Sequence, residues 1–313
     1  MINKKLKVYI IATEPSGDVI GSNLIKSLIK AKKGKVKLYG IGGEKMIKSG
    51  LKKSLFPIKE LSILGIFEIL PKIFKVMSLL NKTKKDLIKV KPNVLVTIDS
   101  PDFNFRILKK ISNILPFTKK IHYVAPTVWA WRSGRAKYLS KYTDKLLTIL
   151  PFEKKYFTKY NLSTNFVGHP VYEINKQIKL SKKDVYKKYK IKKGSKILSF
   201  LPGSRVSEIK KSIPVLIKTI KFLKQNSNIN PHVLFYILPH LKKYFNNYRF
   251  NFPYSNIKEN DKYDAFKISD VSIASSGTAT LELSYFAIPT IVIYKINFLT
   301  YLIAKIFVKI KYA

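Results

Sequence analysis

The chain has 313 residues, 46% of them hydrophobic, and its 60 lysines and arginines against 18 acidic residues give a formal net charge of +42. The absence of cysteine excludes disulfide bridges and thiolate zinc sites. The length accommodates two domains, and the hydrophobic content excludes disorder over most of the chain. No uncharged run reaches the roughly 18 residues of a membrane span, and the first apolar run is too short for a secretory signal.

The positive charge has three competing interpretations: binding to nucleic acid, attraction to an anionic membrane surface, or compositional drift toward lysine. Only five of the 60 basic residues are arginines, although nucleic-acid-binding proteins rely on arginine for bidentate contacts. The lysines are scattered over every segment rather than gathered in one block. We therefore favour drift first and membrane attraction second, and we expect no nucleic-acid partner.

Short apolar runs with strand character alternate with longer helical patterns. The predicted strands are 7–12, 36–40, 94–98, 120–124, 145–150, 197–201, 233–238, 271–274 and 290–294. This alternation predicts an α/β fold with doubly wound parallel sheets. Because the pattern restarts near residue 170, we expect two domains, 1–170 and 171–313, that face a cleft in which ligands bind at the carboxyl ends of strands.

The first predicted strand leads directly into a polar turn, in the stretch IATEPSGDVIG at residues 11–21. Glu14, Ser16, Gly17 and Asp18 lie in this turn, and an amphipathic helical pattern follows at once. Two acids, a hydroxyl and a glycine at the end of a strand raise the question of what the turn serves.

A second strand-to-helix turn, LPGSR at residues 201–205, is a candidate anion site. Gly203 permits close approach of a ligand to the backbone. Arg205 offers a guanidinium to an anion at a helix start, where backbone amides already favour phosphate. Ser204 alone is expected to cap the helix, since Glu208 is not at the capping-box offset from it.

A third turn, SSGT at residues 275–278, places Ser276, Gly277 and Thr278 at another helix start. Glu282 follows one helical turn later and is placed to reach a ribose hydroxyl. Either turn alone is more typical of an ordinary capped helix. The two together favour a diphosphate nucleotide, and neither is a P-loop.

An acidic pair follows the near-continuous apolar strand at 94–98, with Asp99 at its end and Asp102 three residues later. A carboxylate that emerges from a buried strand is well placed to act as a general base. The pair also fits an Mg²⁺ site, and Asp102 fits a helix cap. We favour catalysis for Asp99 and capping for Asp102.

The segment HYVAPTVWAWRSGRAKYL, residues 122–139, contains both tryptophans, Trp129 and Trp131, together with Arg132 and Arg135. Aromatic rings and arginines suit a sugar or a phosphate-bearing substrate. The same residues suit a packed core wedge with cation–π contacts, and the pattern alone does not decide between the two.

The segment LSILGIFEILPKIFKVMSLLNKTKK, residues 61–85, has a broad apolar face flanked by lysines. The residues of this face are Ile66, Phe67, Ile69, Leu70, Ile73, Phe74, Val76, Met77 and Leu80. The pattern fits an interfacial helix on an anionic membrane and a plain buried helix equally well.

As an ordered set, these motifs resemble the lipid-A-disaccharide synthase family of glycosyltransferases. The matching stretches, in chain order, are EPSGDVIG, GIGGEKM, LSILGIFEILPKI, IDSPDFNFR, HYVAPTVWAWRSGR, ILPFEKKYF, FVGHPV, LPGSRVSEI and SSGTATLELSYFAIPTIVIYK. They run from about residue 8 to the end of the sequence given. The Trp-x-Trp-Arg segment argues against another UDP-sugar enzyme of the same fold.

The resemblance implies a glycosyltransferase-B fold, with two Rossmann-like domains and a cleft between them. It implies an inverting transfer, without metal or cofactor, from UDP-2,3-diacylglucosamine to 2,3-diacylglucosamine 1-phosphate. The products would be the β-1,6-linked disaccharide 1-phosphate and UDP. It further implies a peripheral enzyme of lipid A biosynthesis on the cytoplasmic face of the inner membrane of a Gram-negative bacterium.

The resemblance also suggests roles for single residues. Asp99 would take the proton of the acceptor 6-hydroxyl, Arg205 and the 276–278 turn would hold the UDP phosphates, and Glu282 would hold the ribose. The other expected catalytic residues are Glu14, Ser16 and Asp18, and the other expected substrate-binding residues are Gly17, Arg132 and Ser204. The expected acyl-facing and membrane-facing residues are Ile66, Phe67, Ile69, Leu70, Ile73 and Phe74.

The sequence departs from the family pattern in two places. Pro15 stands where the family usually has a small residue. Family members also continue for several dozen residues past the equivalent of AKIFVKIKYA, in a segment that completes the nucleotide site and reaches the first domain or a partner subunit. We therefore expect this chain to lack the tail. The resemblance leaves open whether the protein forms a homodimer. The alternative prediction is a catalytically inactive, truncated homologue that binds a membrane surface through its basic charge.

Overall fold

A computed structural model describes residues 5–62, 69–130, 132–227 and 229–293. These residues divide into two units, the first ending at His169 and the second beginning at Pro170. The resemblance suggests that the first domain is the acceptor-binding and membrane-facing one and that the second is a truncated UDP-binding domain, and both roles stay predictions.

The first unit is built on six strands: β1 (Leu6–Ala12), β2 (Val36–Ile41), β3 (Val94–Ile98), β4 (Lys119–Tyr123), β5 (Lys145–Thr148) and β6 (Ser163–Phe166). They pair in parallel in the order β2-β1-β3-β4-β5-β6. The accompanying helices are α1 (Pro15–Ala31), α2 (Glu44–Lys48), α3 (Lys59–Ser62), α4 (Ile69–Val90), α5 (Pro101–Ile111), α6 (Gly134–Tyr142) and α7 (Lys155–Thr158), with a 3₁₀ turn at Pro151–Glu153.

The central strands of this unit are buried on both faces, as a parallel sheet covered by helices requires. Side chains of β1 alternate between two cores, so that Tyr9 and Ile11 pack in one and Val8 and Ile10 in the other. Ala12 of β1 lies in register with Ile98 of β3, which in turn lies in register with Tyr123 of β4. The turns that follow these three strands are therefore neighbours at one edge of the sheet.

The second unit is built on five strands: β7 (Ile197–Leu201), β8 (His232–Phe235), β9 (Tyr254–Asn256), β10 (Val271–Ser275) and β11 (Thr290–Ile293). They pair in parallel in the order β11-β10-β7-β8-β9. Its helices are α8 (Lys182–Lys188), α9 (Val206–Ser227), α10 (Lys242–Phe245), α11 (Lys262–Phe266) and α12 (Thr278–Tyr285), with 3₁₀ helices at Pro170–Gln177, Pro239–Leu241 and Glu259–Asp261. Its main core joins α9 to the sheet around a cluster of phenylalanines.

The predicted α/β class with parallel sheets flanked by helices is confirmed, and every predicted strand is present within a few residues. Three predicted strands are too long at their carboxyl ends, because β4 ends at Tyr123, β5 at Thr148 and β8 at Phe235. Two short strands, β6 and β9, have no counterpart in the sequence prediction. None of the described helices combines the length and the apolarity that crossing a bilayer requires.

Candidate functional site

Two turns meet at the carboxyl edge of the first sheet, the one after β1 and the one after β3. The hydroxyl of Ser100 donates a hydrogen bond to Oε1 of Glu14 at 3.0 Å and so joins them. Asp99 is the first residue after β3, and its backbone N–H donates to the carbonyl of Tyr123 at 2.9 Å. The structure thus brings together two of the carboxylates that the sequence suggests for the site.

Asp99 and Ser100 both have left-handed backbone angles, with φ of 50° and 45°. Residues other than glycine adopt this conformation at a cost, and such strain tends to occur at functional sites. The side-chain amide of the buried Asn104 donates to the carbonyls of Ile98 at 3.1 Å and Asp99 at 2.7 Å. Asn104 therefore holds the turn that presents Asp99, a role that no pattern in the sequence indicates.

Burial raises the pKa of Asp99 above its ordinary value, and the negative charge of Glu14 raises it further. The backbone N–H of Ser100 acts in the opposite direction. A carboxylate with a raised pKa is a stronger base, so the environment of Asp99 suits proton abstraction from a hydroxyl group.

Asp18 and Gly17, which follow Glu14 in the first turn, both pack against the first unit. Asp18 is buried, and its carboxylate accepts hydrogen bonds from the backbone N–H groups of Gly43 at 2.7 Å, Lys45 at 3.0 Å and Met46 at 3.1 Å. These contacts favour a structural role for Asp18 over the catalytic role that we expected. Gly17 packs at the start of α1, where an added Cβ would lie 3.4 Å from that of Ala12.

Asp102 does not cap a helix, contrary to our expectation. It lies within the first turn of α5, and its Oδ1 is 2.7 Å from Nη2 of Arg135 and 3.8 Å from Nη1 of Arg132. Arg132 is exposed and has a left-handed φ of 50°. The arginines of this segment are thus oriented by an acid of the neighbouring helix.

The two tryptophans of the same segment differ in what the structure describes. Trp129 packs edge-on against Phe152, with ring centroids 5.4 Å apart, and Trp131 lies outside the described residues.

The LPGSR turn of the second unit differs from our expectation in its cap. The carboxylate of Glu208 accepts hydrogen bonds from the backbone N–H groups of Ser204 at 2.7 Å and Arg205 at 3.1 Å. Because α9 begins at Val206, its N-cap residue is Arg205. Glu208 lies three residues after this N-cap residue, which is the offset of a capping box. Glu208 therefore accepts hydrogen bonds from amides that we expected to hold phosphate. The side chain of Arg205 is exposed, and its role as an anion ligand stays a prediction.

The SSGT turn is more open. Ser276 and Gly277 are both exposed, and an added Cβ at Gly277 would meet no atom within 4 Å. Gly277 has φ of 149° and ψ of −160°, a conformation essentially restricted to glycine. Thr278 begins α12, and its side chain lies outside the described part of the chain. This turn therefore leaves room for a ligand to approach the backbone.

Glu282, expected at the ribose, takes part in a polar cluster within the second unit. Its carboxylate forms an ion pair with Lys262 and accepts a hydrogen bond from the hydroxyl of Tyr263 at 3.0 Å. Its side chain is only 14% exposed. These two partners fix the orientation of the carboxylate, and they come from α11, a helix that the sequence did not connect with the site.

The apolar segment at 61–85 forms α3 and α4. Ile66 and Phe67 lie outside the described residues, as do the side chains of Ile69 and Leu70. Ile73 and Phe74 are 45% and 81% exposed, so large apolar groups do face solvent here. Leu80, which we grouped with them, is instead buried in the core.

Within the described residues, no group of three or more His, Cys, Asp or Glu side chains is arranged to hold a metal ion.

A sequence model of the family described as lipid-A-disaccharide synthetase matches residues 8–313. The chain belongs to this family.

Relatives from the lipid-A-disaccharide synthetase family extend the match over almost the whole chain. Lipid-A-disaccharide synthase of Rickettsia bellii (strain OSU 85-389) is 38% identical over 311 residues, covering 98% of this chain and 80% of the relative. That of Rickettsia canadensis (strain McKiel) is 39% identical over 311 residues, covering 98% of this chain and 78% of the relative. The glycosyltransferase prediction is confirmed, and the inactive membrane-surface binder is not favoured.

Solved structures share the fold of this lipid-A-disaccharide synthetase family member at low sequence identity. UDP-GlcNAc 2-epimerase from Neisseria meningitidis superimposes with a TM-score of 0.62 at 10% identity, covering 96% of this chain and 85% of that chain. UDP-N-acetylglucosamine 2-epimerase from Rickettsia bellii gives 0.57 at 16% identity, covering 91% and 78%. These likenesses concern the fold alone, and they confirm the predicted glycosyltransferase-B architecture of Rossmann-like domains.

Proposed function

We propose that this chain is a lipid-A-disaccharide synthase that transfers 2,3-diacylglucosamine from UDP to the 6-hydroxyl of 2,3-diacylglucosamine 1-phosphate. The strained, half-buried Asp99 beside Glu14 is the observation that carries the proposal. The carboxylate of Asp99 accepts the hydroxyl proton as the acceptor oxygen bonds to C1 of the donor sugar. The bond from C1 to the diphosphate oxygen breaks with inversion, and its electrons leave with UDP.

The leaving diphosphate needs positive charge and hydrogen-bond donors where its negative charge develops. The exposed guanidinium of Arg205 is one such group, and no described carboxylate pairs with it. The turn at Ser276 and Gly277 offers hydroxyl and backbone groups that a phosphate can approach. Glu282, oriented by Lys262 and Tyr263, is the proposed ribose ligand.

The lipid substrates are the reason to place the enzyme at a membrane surface, on the cytoplasmic face of the inner membrane. The exposed Ile73 and Phe74 of α4 lie among lysines, a pattern typical of attachment to an anionic interface. This surface is proposed to receive the acyl chains. A homodimer stays a prediction.

The test is a product assay in detergent, without added metal, with both acylated substrates. Disaccharide 1-phosphate and UDP should form, and Asp99→Asn should lower the rate by about 10²–10⁴-fold while UDP binding persists. Asp184→Asn makes the same chemical change at an exposed site in the second unit and should retain the rate. A folded wild-type protein that forms no product would refute the proposal. Equal rates for Asp99→Asn and wild type would refute the assigned base.

A further inference from the structure

A concavity of about 320 Å³ lies between α5 and α6 in the first unit. Its lining includes Asp102, Phe105 and Arg106 from α5 and Arg135 and Tyr138 from α6. Two of the five arginines of the chain therefore line one depression. The sequence analysis considered two of these side chains, Asp102 as a helix cap and Arg135 as one of the arginines that suit a sugar or a phosphate-bearing substrate. It assigned no role to Phe105, Arg106 or Tyr138.

The charges in this concavity do not cancel. Asp102 and Arg106 are one helical turn apart on α5, the spacing at which opposite charges usually pair. The carboxylate of Asp102 instead contacts Arg135 at 2.7 Å and Arg132 at 3.8 Å. Within the described residues no carboxylate forms an ion pair with Arg106. One acid thus orients two arginines and leaves the guanidinium of Arg106 for a ligand.

The floor of the concavity is aromatic. The rings of Phe105 and Tyr138 stack at 5.7 Å with an interplanar angle of 19°. Arg106 and Tyr138 line the same concavity. Burial raises the pKa of Tyr138, and the positive charge of Arg106 opposes that rise. Cations above a partly apolar floor suit an anionic group carried on a sugar ring.

We propose that this concavity binds the phosphate of the acceptor, with Arg106 as its main cation and Arg135 as the second. The inference rests on the proposed function, because the acceptor is taken to be a sugar 1-phosphate. Its attacking hydroxyl and its phosphate lie one sugar ring apart. Asp99 lies two residues before α5, and Arg106 lies roughly 8 Å along that helix from Pro101 at 1.5 Å per residue. The proposed base and the proposed phosphate-binding cation are therefore carried by the start of the same helix.

The kinetic test compares Arg106→Gln with wild type on two acceptors, with and without the 1-phosphate. The KM for the phosphorylated acceptor should rise on the order of tenfold, because a charged hydrogen bond is lost, while the KM for the donor should not follow. For the acceptor without phosphate the difference between the two proteins should disappear. Arg106→Lys keeps the positive charge but loses the paired N–H donors of the planar guanidinium, so it should recover part of the affinity. Lys137→Gln removes one charge from the exposed side of α6 and is the matched control.

Equilibrium binding of 2,3-diacylglucosamine 1-phosphate in detergent gives a readout that does not need turnover. If wild type forms no disaccharide, the proposed function fails, yet a selective loss of binding in Arg106→Gln still supports the phosphate site. Equal losses for both acceptors, or equal losses in Arg106→Gln and Lys137→Gln, would overturn it. So would unchanged acceptor binding with weaker sedimentation on anionic phospholipid vesicles, since the ligand would then be a membrane head group.

Discussion

Ser100 donates a hydrogen bond to Glu14 at 3.0 Å, and this contact couples the turn after β1 to the turn after β3. The two turns are 86 residues apart in sequence. The contact keeps the carboxylate of Glu14 next to Asp99, whose pKa is raised first by burial and then by this charge. Glu14 therefore acts on the proposed base through its charge rather than through contact with the reacting atoms.

Glu14→Gln should shift the pH dependence of the reaction toward acid. The amide oxygen can still accept the hydrogen bond from Ser100, but the negative charge is gone. Because that charge raises the pKa of Asp99, its removal lowers the pKa, and Asp99 becomes ionised at a lower pH. The acidic limb of kcat/KM against pH should therefore move to lower pH.

Glu44→Gln is the control for this measurement. The side chain of Glu44 is 89% exposed and is 3.9 Å from Lys48, so its replacement removes the same charge from a solvated position. Its pH profile should coincide with that of wild type. An unmoved acidic limb in Glu14→Gln, with normal activity, would rule out the electrostatic role of Glu14.

Asp18 should prove important for stability. Asp18→Ala leaves the N–H groups of Gly43, Lys45 and Met46 without their acceptor and should lower the free energy of unfolding by about 2–4 kcal/mol. Asp18→Asn keeps one acceptor oxygen, so its loss should be smaller, and its rate per folded molecule should approach that of wild type. Denaturant unfolding together with the product assay checks both. Normal stability with no turnover in Asp18→Asn would instead establish the catalytic role first expected.

The sequence was most informative about the buried parallel strands, because β1, β3 and β7 are runs of apolar residues with few polar interruptions. It missed β6 and β9, whose sequences STNF and YSN are polar and largely exposed. Both are edge strands with a single neighbour, so pairing with that neighbour, rather than an apolar pattern, defines them.

The side-chain partners within the candidate site were harder to predict, because they depend on contacts distant in sequence or on local geometry. Asp99 was identifiable from its position after an apolar strand. Asn104 was not, since its amide binds backbone carbonyls that the fold exposes only in a left-handed turn. Glu208 was dismissed as a cap because the helix start was placed one residue too early, at Ser204 instead of Arg205.

The two glycine turns of the second unit should respond differently to alanine. At Gly203, where φ is 107°, an added Cβ would overlap the carboxylate of Glu208 that holds the helix start. At Gly277 the backbone angle is equally unfavourable but the surrounding space is empty. Gly277→Ala should cost about 1–3 kcal/mol of stability from backbone strain, and Gly203→Ala should cost more because it adds the overlap.

UDP binding separates these two variants further. If the backbone of the SSGT turn contacts the diphosphate, Gly277→Ala should weaken UDP binding at least as strongly as Gly203→Ala despite its smaller effect on stability. Calorimetric titration at a temperature where both variants are folded measures this. Wild-type affinity in Gly277→Ala would remove that turn from the proposed nucleotide site.

Phe74 should contribute to membrane attachment, whereas an equally exposed phenylalanine elsewhere should not. The side chain of Phe74 is 81% exposed on α4, and that of Phe117 is 95% exposed between α5 and β4. Burying one phenylalanine in an interface gains about 1.5–3 kcal/mol, so Phe74→Asp should weaken sedimentation with anionic vesicles by roughly tenfold or more. Phe117→Asp introduces the same charge and removes the same ring, which controls for the net charge of the protein. Equal losses in the two variants would show that general electrostatic attraction, and not the apolar face of α4, holds the protein at the surface.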